Sequence, residues 1–236
     1  MLTNNKIKQI RSLSLKKNRK AEGLFIAEGE KIVNELVNSD FEIESIYATS
    51  EWEGRGATII SEKELSRISF LKTPNKVLAV VNIPSNSLSV SSETVLALDG
   101  ISDPGNLGTI IRLADWFGVE HILCSENSVD YLNPKVVQST MGSISRVKVH
   151  YVDLHSELKK HTDYTLYTTV MDGGNFKDVE PSTKRILIFG NESNGVSDEV
   201  LSLESKKVSI PRAKHSKAES LNIAVACGIF LSDYCG

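Results

Sequence analysis

Three segments of the chain combine residue types able to do chemistry with the spacing of loops that leave buried strands. The first, Leu98-Asp99-Gly100-Ile101-Ser102-Asp103-Pro104-Gly105-Asn106, runs from an apolar stretch through a turn into a helical pattern that carries Arg112. Taken alone, Asp103-Pro104-Gly105-Asn106 is an ordinary turn and helix cap. Arg112 falls within about two turns of a helix N-terminus whose free N–H groups already favour anions, so a phosphate or carboxylate could be held there. The second segment, Ile186-Leu187-Ile188-Phe189-Gly190-Asn191-Glu192-Ser193-Asn194-Gly195, leaves its strand through Gly190, where the lack of a side chain lets a ligand approach the backbone. A tight turn followed by a helix is the plainer account of it. The third runs from Val208-Ser209-Ile210-Pro211 through a basic loop (Arg212, Lys214, His215, Lys217) into Ser220-Leu221-Asn222-Ile223. Ser220 is the expected N-cap there, the small residues Ala224, Ala226 and Gly228 fit a closely packed helix, and Asn222 is left without a role.

Other chemistries lose their support in the same loops. No Gly-x-Gly-x-x-Gly follows the first strand of this region and no Gly-x-x-x-x-Gly-Lys-Ser/Thr occurs, which removes dinucleotide and P-loop readings. A Gly-x-Ser-x-Gly elbow is missing, and the five histidines show no His-x-x-x-His spacing, so serine hydrolysis and metal-dependent hydrolysis are not expected. The three cysteines, Cys124, Cys227 and Cys235, form no Cys-x-x-Cys pair, and neither a disulfide framework nor a metal site is expected.

These loops need a scaffold, and the pattern supplies one. Short apolar runs at Val95–Leu98, His121–Cys124, Val147–Tyr151, Leu166–Val170, Ile186–Phe189 and Val208–Ile210 read as parallel strands covered on both faces. Helical patterns at Leu107–Phe117, Pro134–Ile144, Leu154–His161, Val196–Leu203 and Ser220–Tyr234 separate several of them. A parallel α/β sheet is therefore expected, with its ligand at the C-terminal ends of the strands. Upstream, Leu24–Ala27, Ile43–Ala48 and Val77–Asn82 alternate with a helix over Glu30–Val37, which makes a small α/β domain. The stretch Pro84–Ser92, with five serines after a proline, marks the boundary: a first domain over 1–84, a linker over 85–92 and a second domain over 93–236.

With 236 residues, 40% of them hydrophobic and 24% charged, the composition is that of a globular protein and excludes disordered and collagen-like classes. No apolar stretch reaches the roughly 18 to 20 residues of a membrane span and the N-terminus has no apolar leader, so a cytoplasmic protein without membrane attachment is expected. The net charge of -3 conceals an asymmetry, +2 over residues 1–92 and -5 over 93–236. Residues 1–20 carry Lys6, Lys8, Arg11, Lys16, Lys17, Arg19 and Lys20 with no acid, enough to attract a polyanion, although a solvated helix face accounts for them as well.

Together and in this order the three loop segments resemble the SpoU (TrmH) family of S-adenosylmethionine-dependent RNA ribose 2′-O-methyltransferases, within the knotted methyltransferase superfamily. Asp103-Pro104-x-Asn106-x-Gly108-x-x-x-Arg112 is similar to the family's first motif, Phe189-Gly190-Asn191-Glu192 to its second, and Ile210-Pro211 with Ser220-Leu221-Asn222 to its third; Lys135–Ser143 resembles the helix between motifs. Residues 1–84 resemble the ribosomal-protein-like substrate domain often joined to this fold, on Phe25-x-x-Glu28-Gly29 and size.

The resemblance implies a deep trefoil knot in the C-terminal sheet and S-adenosylmethionine as cofactor. Backbone near Gly190, Ile210 and Leu221 would hold the adenosine, with Thr168 or Thr169 lining the pocket. It further implies methyl transfer to a ribose hydroxyl in which Arg112 holds the neighbouring phosphate, Asn106 and Asn222 orient the hydroxyl and the backbone, Ser220 supports them, and Glu192 fixes Arg112 or the turn. RNA is the expected partner, ribosomal RNA ahead of transfer RNA by analogy with the two-domain layout, gripped first by the basic N-terminus and by Arg212 and Lys214. The C-terminal helix is apolar or small nearly all round, which together with the resemblance points to a homodimer. The chain departs from the family pattern in having no glycine over Arg212–Glu219, and in Leu113 and Ala224. The competing reading is an RNA-binding paralogue that has lost methyl transfer.

Overall fold

The computed structural model describes residues 2–85 and 88–235. In chain order its elements are α1 (Asn4–Ser12), α2 (Lys16–Glu22), β1 (Leu24–Glu28), α3 (Glu30–Val37), β2 (Ile43–Ala48), β3 (Thr58–Ile59), α4 (Glu62–Ile68), β4 (Val77–Asn82), β5 (Thr94–Leu98), α5 (Pro104–Trp116), β6 (His121–Ser125), α6 (Pro134–Thr140), β7 (Lys148–Val152), α7 (Leu154–Leu158), β8 (Thr165–Asn175), β9 (Arg185–Phe189), α8 (Asp198–Leu201), β10 (Lys206–Ser209) and α9 (Ile223–Tyr234). They divide between two units. One is made by the chain up to Ser85 together with Asp130–Ser145, the other by the chain leading up to Val129 together with everything from Arg146 on. The linker expected over 85–92 includes Asn86 and Ser87, which lie outside the described residues.

In the first unit a four-stranded sheet has the order β1-β4-β2-β3, with β4 antiparallel to both neighbours. Ile7 and Ile10 of α1, with Leu13 just beyond it, pack on Leu24, Ile26, Leu65, Ile68, Leu78 and Val80, so the basic N-terminal segment is a built part of the core. The carboxylate of Glu28 is buried where β1 ends. It accepts from Ser69 Oγ at 2.5 Å and from the Phe70 N–H at 2.7 Å, and burial pushes its pKa up. Residues 130–145 join this unit across the linear boundary because α6 packs on β1 and Asp130 pairs with Arg19. The helical pattern expected over Pro134–Ile144 stops at Thr140, where Met141 takes φ 53° and Gly142 φ 101°. A Cβ on Gly142 would come 2.7 Å from Glu35 Cγ, so a side chain there is also excluded by packing.

The second unit holds a six-stranded sheet of order β10-β8-β9-β5-β6-β7 in which every pairing is parallel. Val95, Ala97, Leu123, Ile186 and Ile188 face Leu154, Leu158, Val196 and Val200 on one side. On the other, Phe189 meets Phe230 of α9 edge to face at 5.7 Å, and α9 packs on α5. All six expected strands are present. The helices differ from the apolar pattern mainly at their ends: α5 starts three residues early at Pro104, α7 starts as expected but ends at Leu158, α8 is shorter at both ends, and α9 starts at Ile223. Asp103, Asp153 and Asn222 each accept a backbone N–H of the first turn and so set where α5, α7 and α9 begin.

Candidate functional site

Three loops at the C-terminal ends of β5, β9 and β10 are joined by one chain of side-chain hydrogen bonds. Asn222 Nδ2 donates to Asn106 Oδ1 at 2.9 Å, and Asn106 Nδ2 donates to Glu192 Oε1 at 2.8 Å. Ser102 Oγ reaches the other Glu192 oxygen at 3.4 Å. Local sequence sets each member. Asp103 caps α5 by accepting the Asn106 N–H at 2.9 Å, and Pro104 occupies the first turn, where its missing N–H costs nothing. Asn222 Oδ1 accepts from Ala224 N at 3.0 Å and Val225 N at 3.3 Å.

One expected role is corrected by this geometry and one is narrowed. The cap of the last helix is Asn222 and not Ser220, which precedes the helix on the surface. A carboxamide both accepts and donates, so one side chain caps α9 and holds Asn106. Of the two parts expected for Glu192, fixing Arg112 or fixing the turn, its bonds go to Asn106 and Ser102, and among the described residues none goes to Arg112. Arg112 is exposed on α5, and among the described residues no side chain pairs with it.

The turn after β9 is closed on itself. Asn191 N donates to Gly195 O at 2.8 Å and Gly195 N to Asn191 O at 2.9 Å, and a Cβ on Gly190 would lie 2.1 Å from the Gly195 carbonyl carbon. Glycine at 190 is thus required by the fold of the turn itself. Ile210 is half-buried and Leu221 half exposed. Thr168 is fully buried and donates to Ser205 Oγ at 2.8 Å, which takes it off the surface of any pocket; Thr169 Oγ1 donates to the Ile188 carbonyl at 2.9 Å. Neither ends its strand: β8 runs on to Asn175, but its ladder to β9 stops at Thr168, and its register to β10 jumps from Thr168 to Gly174. The segment between them bulges out of the sheet, with Thr169 at its start.

The basic residues expected to meet RNA divide. Lys8, Lys16, Lys17 and Lys20 are exposed, while Lys6 pairs with Glu44 at 3.1 Å. Arg11 is exposed yet donates to the Ser69 carbonyl at 2.6 Å and lies over the Phe70 ring. Arg19 is corrected: it is 2% exposed, paired with Asp130, and donates to the Leu13 and Ser14 carbonyls, so its charge is not offered to a polyanion. In the second unit Lys214 and Arg212 are exposed, and Arg212 Nη1 clasps its own loop by donating to Ala218 O at 3.1 Å.

Sequence reasoning missed the residues that hold the β5–α5 loop from below. Asp99 accepts the Ser197 N–H at 2.8 Å, Ser125 Oγ accepts the Gly100 N–H at 2.7 Å, and Ser128 Oγ accepts the Ile101 N–H at 3.1 Å. Bonds from scattered polar side chains to backbone follow no period, so the pattern of residues held no signal for them.

A family model for the SpoU rRNA Methylase family matches residues 93–232, more than half of the chain. The chain belongs to the SpoU rRNA methylase family. A second model, the MRM3-like substrate binding domain, matches residues 4–79. Among similar proteins, the 23S rRNA (guanosine(2553)-2′-O)-methyltransferase RlmP of Bacillus subtilis is 31% identical over 241 residues, covering 97% of this SpoU-family chain and 95% of the relative. A TrmH-family protein from Porphyromonas gingivalis has a solved structure with a TM-score of 0.89 at 33% identity, covering 99% of this chain and 98% of that one. The AdoMet-bound rRNA methyltransferase of Sinorhizobium meliloti gives 0.87 at 28% identity over 99% and 95%.

Proposed function

We infer that this SpoU-family chain is an S-adenosylmethionine-dependent RNA methyltransferase that modifies a ribose 2′-hydroxyl. The observation that carries the reading is the chain Asn222–Asn106–Glu192, which brings the three motif loops together beside the helix that presents Arg112, exposed and unpaired among the described residues. When bound, S-adenosylmethionine supplies a methyl group already activated by the positive sulfonium, so positioning is the main task left to the protein. The half-buried Ile210 and exposed Leu221 offer apolar surface for an adenine ring beside loop backbone that can read its edge.

Each side chain then has a defined part. Asn106, locked at both ends of its carboxamide, keeps one N–H and one lone pair of oxygen to orient the hydroxyl. Arg112 holds the adjoining phosphate. A guanidinium with a pKa above about 12 is a poor base, so it lowers the effective pKa of the hydroxyl and the proton passes to phosphate or water.

The substrate we propose is ribosomal RNA, supported by the activity for which RlmP is named and by the match of residues 4–79 to a substrate-binding domain. Such a substrate places the protein in the cytoplasm. Among the described residues no helix is long and apolar enough to cross a membrane, and no group of three or more His, Cys, Asp or Glu could hold a metal. We also propose a homodimer: Val225 on α9 is 53% exposed and Trp116 on α5, the helix packed against it, is 82% exposed. Light scattering at micromolar concentration should give twice the chain mass, and a stable monomer would refute the dimer. The trefoil knot belongs with the same reading.

The deciding experiment incubates the protein with radiolabelled S-adenosylmethionine and deproteinised ribosomal or transfer RNA, and maps nucleotides resistant to alkaline cleavage. Label at one 2′-oxygen of ribosomal RNA is expected. Binding of the RNA and of S-adenosylmethionine without transfer would instead favour an inactive paralogue.

A further inference from the structure

Asn191, in the turn after β9, is a polar motif residue whose side chain takes no part in the contacts assigned to methyl transfer or to the cofactor. Its carboxamide faces two ways. Oδ1 accepts the N–H groups of Ser193 at 2.9 Å and Asn194 at 3.1 Å, shaping its own turn, while Nδ2 donates to the Gly100 carbonyl at 2.7 Å, in the loop that leads to Asn106 and Arg112.

Between Asp99 and Ile101 most backbone groups of that loop are held. Asp99 N donates to the Phe189 carbonyl at 2.8 Å, the Gly100 and Ile101 N–H groups are accepted by Ser125 and Ser128, and the Ile101 carbonyl accepts from Val129 N at 2.8 Å. The Gly100 carbonyl, at a residue with φ 71°, is held by Asn191 alone among the described residues. The next residue, Glu192, grips the same loop farther on, through Asn106 and Ser102. Two consecutive side chains from the β9 turn therefore fix the β5–α5 loop at its base and at its tip, and a loop so held can keep a reacting group within the few tenths of an ångström that transfer demands.

We propose that Asn191 is a positioning residue for methyl transfer, which couples the turn after β9 to the loop bearing Asn106 and Arg112 through the Gly100 carbonyl. This rests on the methyltransferase reading above. The amide donor is what the coupling needs; the amide oxygen serves only the local turn.

Asn191→Asp separates the two, because a carboxylate keeps the oxygen that accepts from Ser193 and Asn194 but loses the donor and sets a negative charge against the Gly100 carbonyl. Wild type, Asn191→Asp and Asn191→Ala are compared for S-adenosylmethionine affinity by calorimetry, thermal midpoint, and single-turnover transfer to ribosomal RNA at saturating cofactor. The proposal expects Asn191→Asp to bind the cofactor within about threefold of wild type and to melt within about two degrees of it, while its transfer rate falls at least tenfold. Asn191→Ala, which lacks both functions, should lose affinity as well as rate. A rate for Asn191→Asp within threefold of wild type, or a loss of rate matched by an equal loss of cofactor affinity or a lowered melt, overturns the proposal. Absence of transfer by the wild-type protein would instead remove the methyltransferase reading itself.

Discussion

Asn106 and Asn222 stand 116 positions apart in the chain and bond amide to amide at 2.9 Å. Because Asn222 also caps α9 and Asn106 also binds Glu192, neither amide can flip without losing a bond at its other end. The site is thus a fixed array of directed donors and acceptors, and its variants should separate effects on rate from effects on folding.

At Asn222 the two functions can be told apart. Asn222→Asp retains the acceptor that caps α9 and loses the donor to Asn106, so it should keep the wild-type melt while transfer falls at least tenfold. Asn222→Ala should lose the same rate and about 1 kcal/mol of stability, the usual cost of an N-cap. Chemical denaturation beside single-turnover transfer checks both.

Arg112 is exposed and unpaired among the described residues, so removing it costs the fold little. Arg112→Ala should leave the melt and S-adenosylmethionine binding close to wild type while transfer drops about a hundredfold, as for a group that acts mainly in the transition state. Arg112→Lys should recover little, since an ammonium cannot reproduce a planar two-pronged contact. A proportionate fall in cofactor affinity would move Arg112 out of the reaction.

The N-terminal charges divide by burial. Replacing exposed Lys8, Lys17 and Lys20 with alanine should weaken RNA binding and flatten its salt dependence by up to about one unit for each phosphate no longer neutralised, with the melt unchanged. Arg19→Ala should do the reverse, since it leaves Asp130 without its partner, at a cost of about 3 kcal/mol. Salt titrations of RNA binding and a thermal melt for each variant distinguish the two classes.

A pH dependence of stability should come from His121 and His150, buried on neighbouring strands with Nδ1 and Nε2 3.1 Å apart. Burial pushes both below the usual 6.5; at His150 the charge of His121 and then that of Lys148 add to this, against Glu157, and at His121 Lys148 adds to it, against Glu120. The unfolded chain therefore takes up protons first as pH falls, and the stability these groups confer is complete above about pH 6.5 and is lost below it. Thermal midpoints between pH 7.5 and 5.5 should fall for the wild type by a few degrees more than for the double variant His121→Asn, His150→Gln. Parallel curves for the two proteins would clear the histidines of this role.

How much of this could be read from residues alone varies with the range of the interaction. The β-strands of the second unit were legible because a sheet covered on both faces writes itself as short unbroken apolar runs, as in Ile186–Phe189. Asn106, Glu192 and Asn222 were legible as site residues through resemblance, but their mutual bonding was not, because no local pattern says which of three loops will meet. Ser220 drew the expectation of a cap for being a good capping type, where Asn222 two residues later does that work and more. Arg19 looked like its exposed neighbours; Asp130, 111 positions away, together with the Leu13 and Ser14 carbonyls, makes it a core residue. The turn at Met141-Gly142 and the bulge after Thr168 depend on packing against distant backbone and side chains, which composition does not encode.

The strand order has a consequence for synthesis. β5 is central in its sheet, yet one of its two neighbours, β9, pairs Arg185 with Thr94 and so lies 91 positions farther along the chain. A nascent polypeptide that has already laid β6 and β7 beside β5 carries a raw apolar edge until that later strand leaves the ribosome tunnel. At about 5 to 20 residues per second the stretch from Val152 to Phe189 takes about 2 to 7 seconds, long enough for chaperones to compete with misassociation. The Asn106 carboxamide is exposed to the same schedule: its two partners, Glu192 and Asn222, are made 86 and 116 positions after it, so the site cannot assemble until both have been made.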